Sequence, residues 1–165
     1  MEMPKILIVY DSKTGNTEKT AMKVSEGVRE VEGIECIVKR VDETTLDDML
    51  QADGIIIGSP TYYGSMSNKI KKLLDESVEI HGKLEGKIGA AFTSAGGTAS
   101  GAETTILSIL KALLIHGMIV KGNPHRQHYG LAVVEAPNKE EEKLCRRFGA
   151  ETAQLVMEIV PSRRK

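Results

Sequence analysis

At 165 residues the chain is long enough to bury a substantial core, and one domain over residues 1–165 is expected. A content of 41% hydrophobic and 27% charged residues is ordinary for a soluble globular protein. The net charge of -1 provides no electrostatic attraction to nucleic acid or anionic membranes, and it lacks the strong acidity of dedicated small electron carriers.

Cys36 and Cys145 lie far apart and outside any CxxC spacing, so two reduced, partly buried thiols are expected. No apolar run reaches the ~18 residues of a membrane span. The first residues run into a strand without a charged leader or cleavage site. A cytoplasmic protein without membrane insertion is expected.

Ile6 to Val9 form an unbroken apolar run, the pattern of a strand covered on both faces. Ser12-Lys13-Thr14-Gly15-Asn16-Thr17 follows as a loop, and Thr17, Ala21, Val24, Val28 and Val31 then mark one face of a helix that Gly33 ends. Residues 34–41 alternate as a more exposed edge strand, and 45–52 make a short helical segment. Gly54 to Gly58 is a buried third strand that empties into SPTYYGSMS, residues 59–67. A helix follows with Ile70, Leu73, Leu74 and Val78 inward.

Residues 87–93 form a fourth strand leading into SAGGTASG, residues 94–101. The next helix, 102–116, turns Ile106, Ile109, Leu110, Leu113 and Leu114 inward. Met118 to Val120 begins a fifth strand, which the excursion GNPHRQHYG interrupts before it resumes at Leu131–Val134. A last helix spans about 139–159, and 161–165 form a frayed basic tail beyond an ordered core of about 4–160. Strict alternation of strand and helix requires a parallel sheet with right-handed crossovers and helices on both faces. Five such units fit a flavodoxin-like, doubly wound α/β fold with strand order 2-1-3-4-5.

In that order the loops after strands 1, 3 and 4 are neighbours at one edge. The first offers hydroxyls at Ser12, Thr14 and Thr17 and backbone amides at a helix start, a site for a phosphate monoester; Lys13 and Asn16 complete the segment. It has neither the lysine of a Walker loop nor the glycines of a dinucleotide fingerprint. The second places Pro60, Thr61, Tyr62, Tyr63 and Gly64 at the cleft mouth, where aromatic rings suit stacking on a flat heterocycle and the glycine allows close approach or a peptide flip. The third, Ser94-Ala95-Gly96-Gly97-Thr98 with Gly101 beyond, supplies backbone donors to the polar edge of a ring. Phosphate grip, stacking platform and backbone donors together point to flavin mononucleotide (FMN).

SKTGNT resembles the phosphate loop of flavodoxins. GSPTYYGSMSNKIKKLLD and FTSAGGTASGAETTILSILKALLIHGM resemble two segments of the WrbA-like NAD(P)H:quinone oxidoreductases, and the similarity covers nearly the whole chain. The resemblance implies that FMN is held by Ser12–Thr17, Pro60–Gly64 and Ser94 to about Gly101. It also adds His116, in the HGM motif, to the flavin contacts, although that residue lies at the far end of its helix. The chain is shorter than the family pattern between strands 2 and 3 and around strand 5. The resemblance further implies a homodimer or homotetramer, with NAD(P)H as electron donor and a quinone or redox protein as acceptor.

His125 and His128 form an HxxH pair without an evident third metal ligand. Folded back over the cleft, this segment would offer Arg126 or His128 to substrate. No side chain is in a convincing position for acid–base catalysis, since the cofactor carries the chemistry. The competing expectation is a flavodoxin-type carrier without substrate turnover of its own.

Overall fold

The computed structural model describes residues 2–163 and shows alternating strands and helices along the chain. The strands are β1 (Lys5–Tyr10), β2 (Glu35–Arg40), β3 (Gly54–Pro60), β4 (Ile88–Ala95), β5 (Ile119–Val120) and β6 (Leu131–Val134). The α-helices are α1 (Asn16–Arg29), α2 (Leu46–Gln51), α3 (Asn68–Glu76), α4 (Ala102–Ile115) and α5 (Lys139–Arg163). The sheet order is β2-β1-β3-β4-β5, with β6 also on β4, and all the strand pairs are parallel. The expected doubly wound α/β order 2-1-3-4-5 is thus present, its fifth position divided between two short strands.

Side-chain alternation along the central strands divides the core into two layers. Leu7, Val9, Ile55 and Ile57 pack with Met49, Ile70, Leu73, Ile106, Ile109 and Leu113 from α2, α3 and α4. Ile6, Ile8, Ile56 and Phe92 pack on the other face with Ala21, Val24 and Val28 of α1 and Ala153 and Val156 of α5. The two thiols belong to this second layer. Cys145 is buried and its thiol is pushed up to about 12, chiefly by burial, while half-buried Cys36 is raised for the same reason. Neither is a reactive thiolate near neutrality.

Helices α1 and α5 approach each other at glycine. A methyl group on Gly27 would overlap the Arg146 carbonyl, and one on Gly149 would overlap the Val24 carbonyl. The two backbones therefore touch without intervening side chains.

Two residues expected inward face out. Val78 is exposed because α3 ends at Glu76 and the chain tightens to a 3-10 turn over Ser77–Ile80, which buries Ile80 instead. Leu114 is exposed because the inward stripe of α4 is 106, 109, 110 and 113; eight residues after Ile106, Leu114 has rotated to the edge of that stripe. The last helix also runs past 159, to Arg163; Arg164 and Lys165 of the expected basic tail lie outside the described residues. Among the described residues no helix is long and apolar enough to cross a membrane.

Candidate cofactor cleft

Because the strands are parallel, the segments after β1, β3 and β4 open on one sheet edge, and hydrogen bonds tie their bases together. The Asp11 amide donates to the Gly58 carbonyl at 3.1 Å, and the Thr61 amide to the Ser94 carbonyl at 2.9 Å. The Thr93 hydroxyl donates to the Ser59 carbonyl at 2.7 Å, so in its 2.8 Å contact with Thr61 Oγ1 it accepts. Thr61, expected at the ligand, thus spends its hydroxyl on β4.

Loop one enters α1 through Gly15 in the left-handed conformation (φ 96°), and no side chain caps the helix. Helix α4 likewise starts from left-handed Gly101 (φ 100°) without a side-chain cap. The other helices are capped: α2 by Thr45, α3 by Ser67, and α5 by Asn138 Oδ1, which accepts from the Glu140 and Glu141 amides. Of the three helices that follow these segments, α3 is capped, whereas α1 and α4 leave their first-turn amides to another acceptor. The hydroxyls of Thr14 and Thr17 make no hydrogen bond among the described residues. Ser12 is buried and its Oγ accepts from the Gly15 amide at 3.1 Å, which shapes the loop; Lys13 is exposed. A methyl group on Gly15, Gly96 or Gly97 would meet nothing within 4 Å, so all three glycines line open space. Free amides, free hydroxyls and open glycines fit an anionic group with a flat body beside it.

Loop two is a tight hairpin. Tyr62 and Ser65 exchange backbone hydrogen bonds of 3.0 Å, and the central residues Tyr63 (φ 49°) and Gly64 (φ 72°) both have positive φ, as a type I′ turn requires. The turn holds Tyr63 fully exposed at its tip with Tyr62 half-exposed beside it. Gly64 serves packing: a methyl group on Gly101 would come within 2.7 Å of the Gly64 Cα, so the hairpin seats directly on the start of α4.

Ser94 and Ala95, expected in loop three, are the last residues of β4. Ser94 Oγ donates to the Glu135 carbonyl at 2.6 Å and the Glu135 amide donates to Ala95 at 2.8 Å. The segment after β6 thereby stands beside loop three. Gly96, Thr98 and Ala99 are exposed, and Thr98 makes no internal hydrogen bond among the described residues.

His116 lies apart from these loops within the chain. It follows α4, whose 14 residues separate it from Gly101 by about 21 Å. Its ring is buried. Ser77 Oγ donates to the Leu74 carbonyl at 2.6 Å, so in the 2.7 Å contact with His116 Nε2 it accepts, which puts the imidazole proton on Nε2. Nδ1 is left as a buried atom without a partner. Burial, followed by the neighbouring His81, lowers the pKa and keeps the ring neutral.

The 122–130 excursion does not cover the cleft. It stands against residues 88–90 at the start of β4 and against α5. His128 Nδ1 donates to the Asn123 carbonyl at 2.7 Å, and among the described residues no group of three His, Cys, Asp or Glu is placed to hold a metal ion.

Sequence reasoning missed Arg40, at the end of β2. Its Nη2 donates to the Ser12 carbonyl at 2.8 Å, its Nη1 lies 3.8 Å from Glu18, and its guanidinium stands 5.6 Å from the Tyr10 ring centroid. Tyr10 Oη donates to Glu18 at 3.0 Å; burial, then Glu18, raises its pKa and keeps it a donor. Arg40 thus braces loop one from outside. The signal was available: with β2 next to β1, an arginine ending β2 falls beside loop one. Arg40→Ala is expected to weaken FMN binding by about 1 kcal/mol, roughly fivefold, in a fluorescence titration.

A doubly wound parallel sheet of order 2-1-3-4-5 with helices on both faces defines a flavodoxin-like protein. The pattern of the family described as NADPH-dependent FMN reductase matches residues 39–126. A flavodoxin of Aquifex aeolicus is 42% identical over 99% of this chain and 92% of its own length. An NAD(P)H dehydrogenase (quinone) of Archaeoglobus fulgidus is 33% identical over 95% of this chain and all of its own. The crystal structure of a WrbA-like flavodoxin from Agrobacterium tumefaciens superposes with a TM-score of 0.80 over 94% of this chain and 99% of that one; at 22% identity this supports the fold. The chain belongs to the flavodoxin-like FMN proteins.

Proposed function

We propose that the protein is an FMN-dependent oxidoreductase that passes two electrons from NAD(P)H to a quinone-type acceptor. The observation that carries cofactor binding is the pair of uncapped helix starts, α1 and α4, opening on one cleft beside the free hydroxyls of Thr14 and Thr17. In this reading the loop-one amides and hydroxyls grip the phosphate, with Arg40 bracing them. The loop-three amides face the ring's polar edge, and the 62–65 hairpin lays tyrosine against its face. Bound FMN supplies the hydride chemistry, and the balance is NAD(P)H + H⁺ + quinone → NAD(P)⁺ + hydroquinone. The chain's residues position and shield; none must act as acid or base.

The reductase reading draws on the weak net charge, which offers little steering toward a protein partner, and on the named activity of the archaeal relative. The flavodoxin relatives favour a second reading, an electron carrier without its own turnover. Anaerobic NADH and NADPH oxidation by the FMN-loaded protein, with and without a benzoquinone, separates the two. Acceptor-dependent, multiple-turnover oxidation is expected. FMN-loaded protein that leaves both donors unoxidised is a carrier, and protein that takes up no added FMN refutes both readings.

A further inference from the structure

The interruption of the fifth strand leaves a gap at the sheet edge. β5 pairs with Ile88 and Gly89 of β4, and the pairing of β6 with β4 begins at Phe92, so Ala90 and Ala91 have no in-register strand partner on that side. A cavity of about 400 Å³ opens over this gap, between α5 and residues 121–127. That volume falls within the range of small-molecule sites. The cavity is separate from the cofactor cleft: it meets β4 at residues 88–90, and Ala90 precedes Ser94 by about 13 Å of extended chain.

Its walls combine an apolar floor with cations. Leu131, Leu144, Phe148 and Leu155 line it, as do Lys121, Arg126 and Arg147. Two carboxylates are also present, Glu151 and Glu158; Glu151 is engaged by Arg147 at 2.7 Å. Lys121 and Arg126 have no hydrogen bond or ion pair among the described residues.

The loop that carries Arg126 is tied down. The Gln127 side chain donates to the Ala132 carbonyl at 3.0 Å and accepts from the Ala132 amide at 2.8 Å, holding Gln127 at a φ of 54°. The Asn123 amide donates to the His128 carbonyl at 3.1 Å, and Asn123 Oδ1 accepts from the His125 amide at 3.0 Å. Backbone strain at a non-glycine residue persists only where surrounding contacts over-determine it, and such residues cluster at ligand clamps.

We propose that this cavity is a second ligand site, for a small amphiphilic organic anion whose acidic group meets Arg126 and Lys121 while its apolar body covers Phe148 and its leucine neighbours. The probe is 8-anilinonaphthalene-1-sulfonate, titrated by fluorescence into FMN-loaded protein so that the cofactor cleft is occupied. Saturable binding of one molecule per chain is expected. Arg126→Ala weakens it about tenfold, the loss of one charge-assisted contact, and the exposed lining substitution Gln154→Trp, which fills the cavity, abolishes it. Both variants keep the wild-type flavin spectrum and melting temperature. Absence of saturable binding to the wild type, or binding that either variant leaves unchanged, overturns the proposal.

Discussion

Replacing Thr14 and Thr17 together by valine is expected to weaken FMN binding at least about tenfold while riboflavin binding hardly changes. Neither hydroxyl serves the fold, since neither makes a hydrogen bond among the described residues. Valine is close to threonine in shape and the Thr17 hydroxyl has no internal partner to lose among the described residues, so the apoprotein should melt as the wild type does. What the double variant removes is two donors to a charged group, each worth about 1–3 kcal/mol when the partner is left unsatisfied. Riboflavin lacks the phosphate and is blind to the change. Equal loss for both ligands, measured by quenching of flavin fluorescence, would show that loop one does not hold the phosphate.

The second large effect is on stability. Gly149→Ala, and independently Gly27→Ala, should destabilise the protein by about 2–3 kcal/mol, although alanine gains ~1 kcal/mol in helix propensity. Each added methyl group would overlap a backbone carbonyl of the opposite helix, Val24 or Arg146, which cannot swing aside as a side chain can. Relief requires α1 and α5 to separate, which disturbs the packing of Val24, Val28, Ala153 and Val156. For a chain of this size the melting temperature should fall by roughly 4–12 °C at fixed FMN concentration. An unchanged or raised melting temperature would mean that the helices tolerate the wider spacing.

These two sites differ in how far the sequence reveals them. Loop one is legible because its chemistry is local: a buried strand, a run of small donors and a helix start are contiguous, and the fold follows from the alternation of strand and helix. Gly27 and Gly149 read in sequence only as weak points in helices. Their reason lies in a partner backbone more than a hundred positions away. Arg40 is similar, because its role depends on the sheet order that sets β2 beside β1. Val78 and Leu114 were misplaced because an apolar residue near a helix end fits the periodic pattern even where the helix tightens or its stripe has already turned away. Of the hydroxyls in the three segments, those of Thr61 and Ser94 donate within the fold, to Thr93 Oγ1 and to the Glu135 carbonyl. Composition shows that a segment is rich in donors and does not show which of them the fold consumes.

The divided fifth strand also shields the sheet from association through its edges. An exposed strand edge is a template on which other chains can add and aggregate. On this side an incoming strand would find two residues of β5, a break, and then four residues of β6, too short a ladder to seed growth. The opposite edge is a continuous β2, and it carries Glu35, Lys39 and Arg40, charges that an added strand would have to accommodate. Both ends of the sheet are thus poor templates, one by discontinuity and the other by charge.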